Sequence, residues 1–222
     1  MNNGPLLFFG ALATLASSFW GLLLAPQLQI GRQQPVVIEA TGEFYPAPRP
    51  GQAQQGAGVY QSLGCAVCHS QQVRGFGGDR QRGFGARISV AQDFLHDYPL
   101  QLGGVRVGPD LANFGGRQTN DAAILLHLYA PQIAMPGSIM PAYRYLFEMR
   151  PAASGVSWPA DAFILPGQNR TNATEVIVPK PEAVALAAYL RSLKSEIALF
   201  EAPIPKPATN AAPVASTNAP AK

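Results

Sequence analysis

The strongest hydrophobic pattern in the chain is one continuous apolar block near its start. Residues 6–24 carry no charged side chain. About 19 residues at about 1.5 Å each span roughly 28 Å, which is close to the apolar core of a bilayer. No basic segment precedes the block, and Pro26 directly follows Ala25, where a signal peptidase would cut. We therefore predict a retained transmembrane anchor over residues 1–30, with a cleaved signal peptide as the alternative.

Small side chains recur on one face of this predicted anchor. Gly10, Thr14, Ser17 and Gly21 follow one another at helical spacing. Such a stripe allows a second helix to approach closely, although ordinary membrane-helix composition would explain it equally well.

Beyond the anchor, apolar positions with a helical period alternate with segments rich in proline and glycine. Residues 31–54 are rich in Pro and Gln, which predicts an extended linker with a possible short strand at 36–38. Helices are predicted over 55–63, 121–129 and 181–200, and a short one over 89–95. If the first and last of the three long helices cross, Gly56 and Tyr60 would meet Tyr189. Residues 71–107 and 146–180 are predicted to be irregular inserts, and the Pro/Ala-rich residues 201–222 to be disordered.

Composition and charge exclude some functions without choosing one. The chain has 222 residues with 22 Gly and 21 Pro, and only 13% of them are charged. This composition indicates loop-rich structure around a modest helical core. The net charge of +3 comes without a Lys/Arg cluster, so the sequence gives no indication of nucleic-acid binding.

The candidate chemistry lies in Cys65-Ala66-Val67-Cys68-His69, which contains both of the chain's cysteines. The pattern C-x-x-C-H is typical of covalent haem c attachment, in which both thiols add to the haem vinyl groups and the histidine binds the iron. A zinc half-site would need four ligands, and His96 and His127 have no zinc-like spacing. A thioredoxin-like dithiol would need a βαβ context. We therefore predict one covalent haem c, attached outside the cytoplasm, with zinc and redox-dithiol sites as the alternatives.

Two later segments are predicted to complete the haem site. In c-type cytochromes a Gly-Pro-Asp-Leu segment lines the proximal side, so the Pro109 carbonyl would accept the Nδ1 proton of His69 and Leu111 would cover the haem. Met135 and Met140 both precede proline, which restricts a methionine to extended backbone. We choose Met140 as the sixth ligand because Ile139 and Tyr143 beside it offer wall contacts. Met135 and His127 are the alternatives.

The ordered motifs resemble the membrane-anchored mono-haem subunit (CcoO, also FixO, subunit II) of cbb3-type cytochrome c oxidases. Besides the anchor and the helix at 184–193, the matching residues are Gly64 to Gln71 across the haem motif, Arg74, Arg106, Gly108-Pro109-Asp110-Leu111-Ala112, Gly115-Gly116-Arg117, His127-Leu128-Tyr129 with Pro131, and Ser138 to Tyr143.

The resemblance implies a fold and a function. The fold would be mainly α, with one transmembrane helix, a class I-like cytochrome c domain over 55–200 and long irregular inserts. His69 and Met140 would be the axial ligands. The chain itself would be non-catalytic and would relay electrons from a dihaem cytochrome c subunit or a soluble cytochrome to haem b of a haem–copper catalytic subunit. It would cross the bacterial inner membrane once, with the haem domain on the periplasmic side. A free-standing membrane-tethered cytochrome and a haem-based sensor are the alternative functions.

The chain departs from that family inside the 71–107 insert. The family usually has tyrosine, glycine and histidine where this chain has Gly83-Phe84-Gly85-Ala86. Its Asp-His-Pro is here Asp97-Tyr98-Pro99, with His96 one position earlier.

Overall fold

The computed structural model describes residues 3–152, 158–169 and 173–205. Most of the tail predicted over 201–222 therefore lies outside the described residues. The described part is mainly helical, with an N-terminal apolar helix and two short two-stranded sheets, as the predicted fold class requires.

The N-terminal apolar block forms one helical rod. Helix α1 (Gly4–Phe19) continues through a π-helical turn (Trp20–Leu24) into α2 (Ala25–Gln29), and none of their residues is buried. The rod Gly4–Gln29 has 26 residues and is apolar and long enough to cross a membrane. Its length and exposure agree with the predicted anchor.

The predicted linker is ordered over much of its length. Strands β1 (Val36–Val37) and β2 (Phe44–Tyr45) form an antiparallel hairpin in which Val36 lies opposite Tyr45. Helix α3 (Gly51–Ser62) begins inside the predicted linker and ends one residue before the predicted boundary. The sequence pattern missed the first turn of α3 because Gly51 and Gln52 carry no apolar signal.

Buried polar contacts hold this hairpin against the 71–107 insert. Arg87 is fully buried, and its Nη2 donates to Asp93 Oδ1 at 2.7 Å and to the Tyr45 hydroxyl at 3.2 Å. The Tyr45 hydroxyl donates to the same Asp93 oxygen at 2.8 Å. Burial and then the Asp93 charge raise the pKa of Tyr45, so its hydroxyl remains protonated. Nearby, Gln92 Nε2 donates to the Gln34 carbonyl. The segment before α3 is thus attached to the domain.

The core is built on the crossing of α3 with α7 (Pro181–Ser192). At Gly56 an added Cβ would lie 1.9 Å from the Ala185 carbonyl oxygen, so the two backbones touch there. The rings of Tyr60 and Tyr189 pack with centroids 5.2 Å apart. The predicted contact is confirmed, although α7 ends at Ser192, well before residue 200.

Three further helices complete the core, two of them against α7 and the third against its neighbour. They are α4 (Phe114–Arg117), α5 (Asp121–Tyr129) and α6 (Pro131–Ala134). Helix α5 has the predicted bounds because Asn120 caps it, with Asn120 Oδ1 accepting the Ala122 N–H at 3.0 Å. Its apolar face buries Ile124, Leu125 and Leu128 in the core.

The second insert contains a hairpin. Strand β3 (Phe147–Pro151) pairs antiparallel with β4 (Glu175–Pro179), with Phe147 opposite Pro179. The Phe147 ring packs edge-on against Tyr129 at a centroid distance of 5.3 Å. This hairpin therefore closes the core beside α5. Among the described residues of the first insert, the regular structure is one 3-10 turn at Ala91–Phe94.

Candidate haem-binding site

The C-x-x-C-H motif lies in a tight turn directly after α3. Gly64 takes a left-handed conformation with φ of 68°, and residues Cys65–Val67 form a 3-10 turn. The His69 N–H then donates to the Cys65 carbonyl at 2.9 Å. This turn brings both cysteines and His69 to one side of the core.

Both thiols are free and half-buried. Cys65 and Ala66 pack against the hydrophobic core cluster. Burial raises the pKa of Cys65 to about 11, so this thiol is neutral at physiological pH. The site therefore presents the Cys65 sulfur as an apolar group at the core surface.

The His69 ring is oriented by the Pro109 carbonyl. The two atoms, His69 Nδ1 and Pro109 O, lie 2.8 Å apart. A carbonyl can only accept, so Nδ1 must donate and must carry the proton in the neutral ring. His69 Nε2 is then unprotonated and available to a metal. The hydrogen bond expected from the sequence is present in the structure.

A glycine lets the ring approach this carbonyl. A Cβ on Gly108 would lie 2.3 Å from His69 Cε1, so any larger side chain would occupy the position of the ring. The same loop approaches the motif again at Gly103, where a Cβ would lie 2.3 Å from the His69 carbonyl oxygen. Gly103 and Gly108 thus both fit closely against His69.

A buried ionic network joins the motif to the segment that follows Gly108. Its members are Ser70, Asp79, Arg106 and Asp110, hereafter the Arg106 network. Arg106 pairs with Asp79 at 2.6 Å and with Asp110 at 3.1 Å. Burial alone would raise the pKa of Asp79, but hydrogen bonds from Arg106 and from the Arg74 N–H outweigh it and lower that pKa.

Sequence reasoning named three of these residues only as points of resemblance and missed Asp79 altogether. The available signal was the position of Ser70 directly after the motif and of Arg106 two residues before Gly108. Their contact with each other depends on a loop closure that no local pattern reports.

The predicted haem walls lie on the same core surface. Leu111 is buried, and Met140 and Tyr143 are partly buried against the core cluster that also contains Leu111. The Tyr143 N–H donates to the Leu128 carbonyl at 2.9 Å, and Gln132 Nε2 donates to the Met140 carbonyl at 2.9 Å. Burial raises the pKa of Tyr143 to about 12. The loop carrying Met140 is therefore fixed to α5 and α6.

The two rival ligands have different surroundings. Met135 is 61% exposed and is not among the residues packed on the core. His127 is half-buried on α5, and its pKa is lowered by burial first and then by interaction with His69. His127 thus lies in the same region as the candidate site, whereas the Met135 side chain extends into solvent.

The zinc alternative requires several protein ligands in one place. Across residues 3–152, 158–169 and 173–205, no three His, Cys, Asp or Glu side chains are grouped as a metal site would need. Those residues therefore offer zinc no ligand set.

Comparison with known proteins identifies the family. No curated protein matches the chain. The sequence model of a family described as cytochrome c oxidase, mono-heme subunit/FixO, matches residues 43–162, which is more than half of the chain. The matched segment contains the C-x-x-C-H turn, the Arg106 network and Met140. The chain therefore belongs to the FixO family of mono-haem subunits of cytochrome c oxidase.

Proposed function

We propose that this subunit carries one haem c, bound covalently through Cys65 and Cys68, and relays electrons to haem b of a haem–copper catalytic subunit. Membership of the mono-haem family implies one haem in a cytochrome c oxidase. The observation that supports the covalent haem c reading most directly is the His69 ring, which donates Nδ1–H to Pro109 and keeps Nε2 free beside two free thiols.

The residues present fit a haem. Because Gly108 has no side chain, the His69 ring fits against it, and any side chain at position 108 would displace the ring. Cys65, Met140 and Tyr143 are incompletely buried although they pack on the core, so an apolar group can add to that surface. A bound haem would supply one-electron chemistry, with its iron alternating between Fe(II) and Fe(III).

We assign His69 and Met140 as the two residues that would bind the haem iron. His69 is oriented by Pro109, and its basicity as a ligand is raised by that hydrogen bond. Met140 is held by contacts of its own backbone, since its N–H lies 3.3 Å from Ser138 Oγ and its carbonyl accepts from Gln132. Leu111 and Tyr143 provide apolar cover and exclude water. Met/His ligation gives a high potential, which suits electron delivery to a terminal oxidase.

The subunit would be held in the bacterial inner membrane by the Gly4–Gln29 rod. Its length and apolar surface support a single span. The domain would lie on the periplasmic side, where haem c is attached, and would receive electrons from a dihaem cytochrome c subunit or a soluble cytochrome.

Two single substitutions test the ligand assignment. In the full-length, detergent-solubilised protein, Met140→Ala should abolish the sulfur-to-iron absorption band near the red edge of the oxidised spectrum. Met135→Ala is the matched control, because it removes the same side chain from an exposed position five residues earlier, and it should keep the band. Loss of the band in Met135→Ala alone would refute the assignment of Met140. A wild-type protein whose haem is extracted by acid acetone would refute covalent attachment.

A further inference from the structure

We propose that the Arg106 network is a positioning device that holds the Pro109 carbonyl against His69 Nδ1 and thereby sets the donor strength of this ligand. The inference rests on the proposed function, in which His69 binds the haem iron. It assigns roles to Ser70, Arg106 and Asp110 that go beyond haem attachment and axial ligation.

The first argument is that backbone hydrogen bonds join the segment after the C-x-x-C-H turn to the 108–111 segment on both sides of the His69–Pro109 contact. The Gly108 N–H donates to the Cys68 carbonyl at 2.9 Å, and the Leu111 N–H donates to the Ser70 carbonyl at 2.8 Å. Pro109 has no N–H and its side chain is exposed, so apart from the φ that its ring locks it has no contact of its own that orients its carbonyl. The direction of its carbonyl is therefore set by its neighbours.

The second argument is the Asp110 carboxylate, which is fully buried and bonded at both oxygens. Asp110 Oδ2 accepts from Ser70 Oγ at 2.6 Å and from the Gln72 N–H at 2.8 Å. Asp110 Oδ1 accepts from the Ala112 N–H at 2.8 Å. Ser70 directly follows His69, and Asp110 directly follows Pro109. The bond between Ser70 and Asp110 therefore joins the two segments directly beside the His69–Pro109 contact.

The third argument is the position of Arg106 between two buried carboxylates. Arg106 Nε donates to Ser70 Oγ at 2.6 Å, and its Nη2 lies 3.1 Å from Asp110 Oδ2. Its Nη1 donates to Asp79 Oδ1 at 2.6 Å. Ser70 thus accepts from Arg106 and donates to Asp110, which leaves its hydroxyl a single orientation. Charge-assisted bonds of this kind are short and strong, and breaking one would leave a buried charge unpaired.

The consequence concerns electron density at the ligand. A strong Nδ1–H···O=C bond gives His69 partial imidazolate character, which favours Fe(III) and lowers the midpoint potential. If the network relaxes, the Pro109 carbonyl moves, the bond weakens and the potential rises. A network that served the fold alone would alter stability and leave the Nδ1 proton unchanged.

The test uses the full-length, haem-loaded protein in detergent and two variants, Ser70→Ala and Asp110→Asn. The readouts are the deuterium exchange rate of the His69 Nδ1 proton by NMR and the midpoint potential. Both variants should exchange this proton about tenfold faster, which corresponds to about 1.4 kcal/mol of lost protection, and both should shift the potential upward. Ser70→Ala is the decisive variant because it changes no charge.

Each variant has a matched control on the surface. Ser62→Ala removes an exposed hydroxyl that bonds only to the Val59 carbonyl nearby in α3. Asp121→Asn removes the same charge as Asp110→Asn from a half-exposed pair with Arg191. Both controls should keep the wild-type exchange rate and potential.

The outcomes separate this inference from the proposed function. If the wild-type chain holds covalent haem and Ser70→Ala behaves like Ser62→Ala in both readouts, the positioning role is refuted and the haem assignment stands. If the wild-type chain holds no covalent haem, the proposed function itself fails. If Asp110→Asn does not load haem, Ser70→Ala still decides the question.

Discussion

At the scale of single residues, the site combines what a short motif specifies with what only the fold can bring together. Cys65, Cys68 and His69 are adjacent in sequence, so their chemistry follows from spacing alone. The Pro109 partner was predictable because Gly-Pro-Asp-Leu is itself a local pattern. The bond between Ser70 and Asp110 joins residues 40 positions apart. That pairing depends on how the intervening insert folds, which no periodicity encodes.

Gly108→Ala should displace the His69 ring. The new Cβ would lie 2.3 Å from His69 Cε1, so either the ring or the 103–108 loop must move. We expect the free energy of unfolding to fall by about 1–3 kcal/mol, together with a lower yield of haem-loaded protein. Denaturant unfolding and haem absorbance per chain measure the two effects.

The control for that change is Gly104→Ala, four residues earlier in the same loop. A Cβ there meets nothing within 4 Å. Its unfolding free energy should stay within about 0.5 kcal/mol of the wild type. Equal behaviour of the two variants would show that Gly108 is not specifically required beside His69.

At the scale of secondary-structure elements, the α3–α7 crossing and the short strand at 36–38 were predictable, and the pairing of strands into hairpins was not. Gly56, Tyr60 and Tyr189 stand on helices that the sequence predicts, and in c-type cytochromes such helices cross. The β1–β2 and β3–β4 hairpins have strands of only two and five residues. Strands of two residues are too short to show an alternation of apolar and polar positions. The alternation in Phe147–Pro151 does not identify its partner strand, and that pairing is fixed by contacts such as Phe147 on Tyr129.

Gly56→Ala should separate the two crossing helices. The added methyl would lie 1.9 Å from the Ala185 carbonyl oxygen, which is backbone and cannot rotate away. We expect a loss of about 3 kcal/mol in the free energy of unfolding, measured by thermal or denaturant unfolding of the detergent-solubilised chain.

Gly58→Ala is the control in the same helix, and it should raise the free energy of unfolding where Gly56→Ala lowers it. Nothing lies within 4 Å of the added Cβ, so the better helix propensity of alanine should raise stability by about 0.5–1 kcal/mol. A destabilisation at Gly58 equal to that at Gly56 would mean that the crossing is not the cause.

At the scale of the whole molecule, buried polar contacts tie the first insert to the rest of the domain. Arg87 attaches it to the β1–β2 hairpin, and Asp79 attaches it to the haem motif through Arg106. The glycine and arginine content of residues 71–107 predicted irregular structure correctly. It gave no sign that Arg87 would be fully buried, because an arginine in a polar segment is ordinarily exposed.

Stability should therefore fall in acid partly through Asp79. The folded-state pKa of Asp79 lies below its ordinary value of 3.8. The carboxylate thus contributes stability above about pH 4, and this contribution is lost as pH falls through the lower folded-state pKa. Urea unfolding at pH 7, 5 and 3 should show a stability gap between the wild type and Asp79→Asn that narrows at pH 3. A gap that is constant across pH would contradict the role of the Asp79 charge.

The hairpin attached by Gln34 also limits how far the domain can travel from its anchor. Helix α2 ends at Gln29, and the Gln34 carbonyl is already bonded to Gln92. Only residues 30–33 lie between these points, so the five Cα–Cα steps from Gln29 to Gln34 span at most about 18 Å in a fully extended chain. With the rod in a membrane, the domain would stay close to the bilayer surface. Under the proposed function, electron donors would then have to reach the domain at the membrane surface, where encounters are confined to a thin layer.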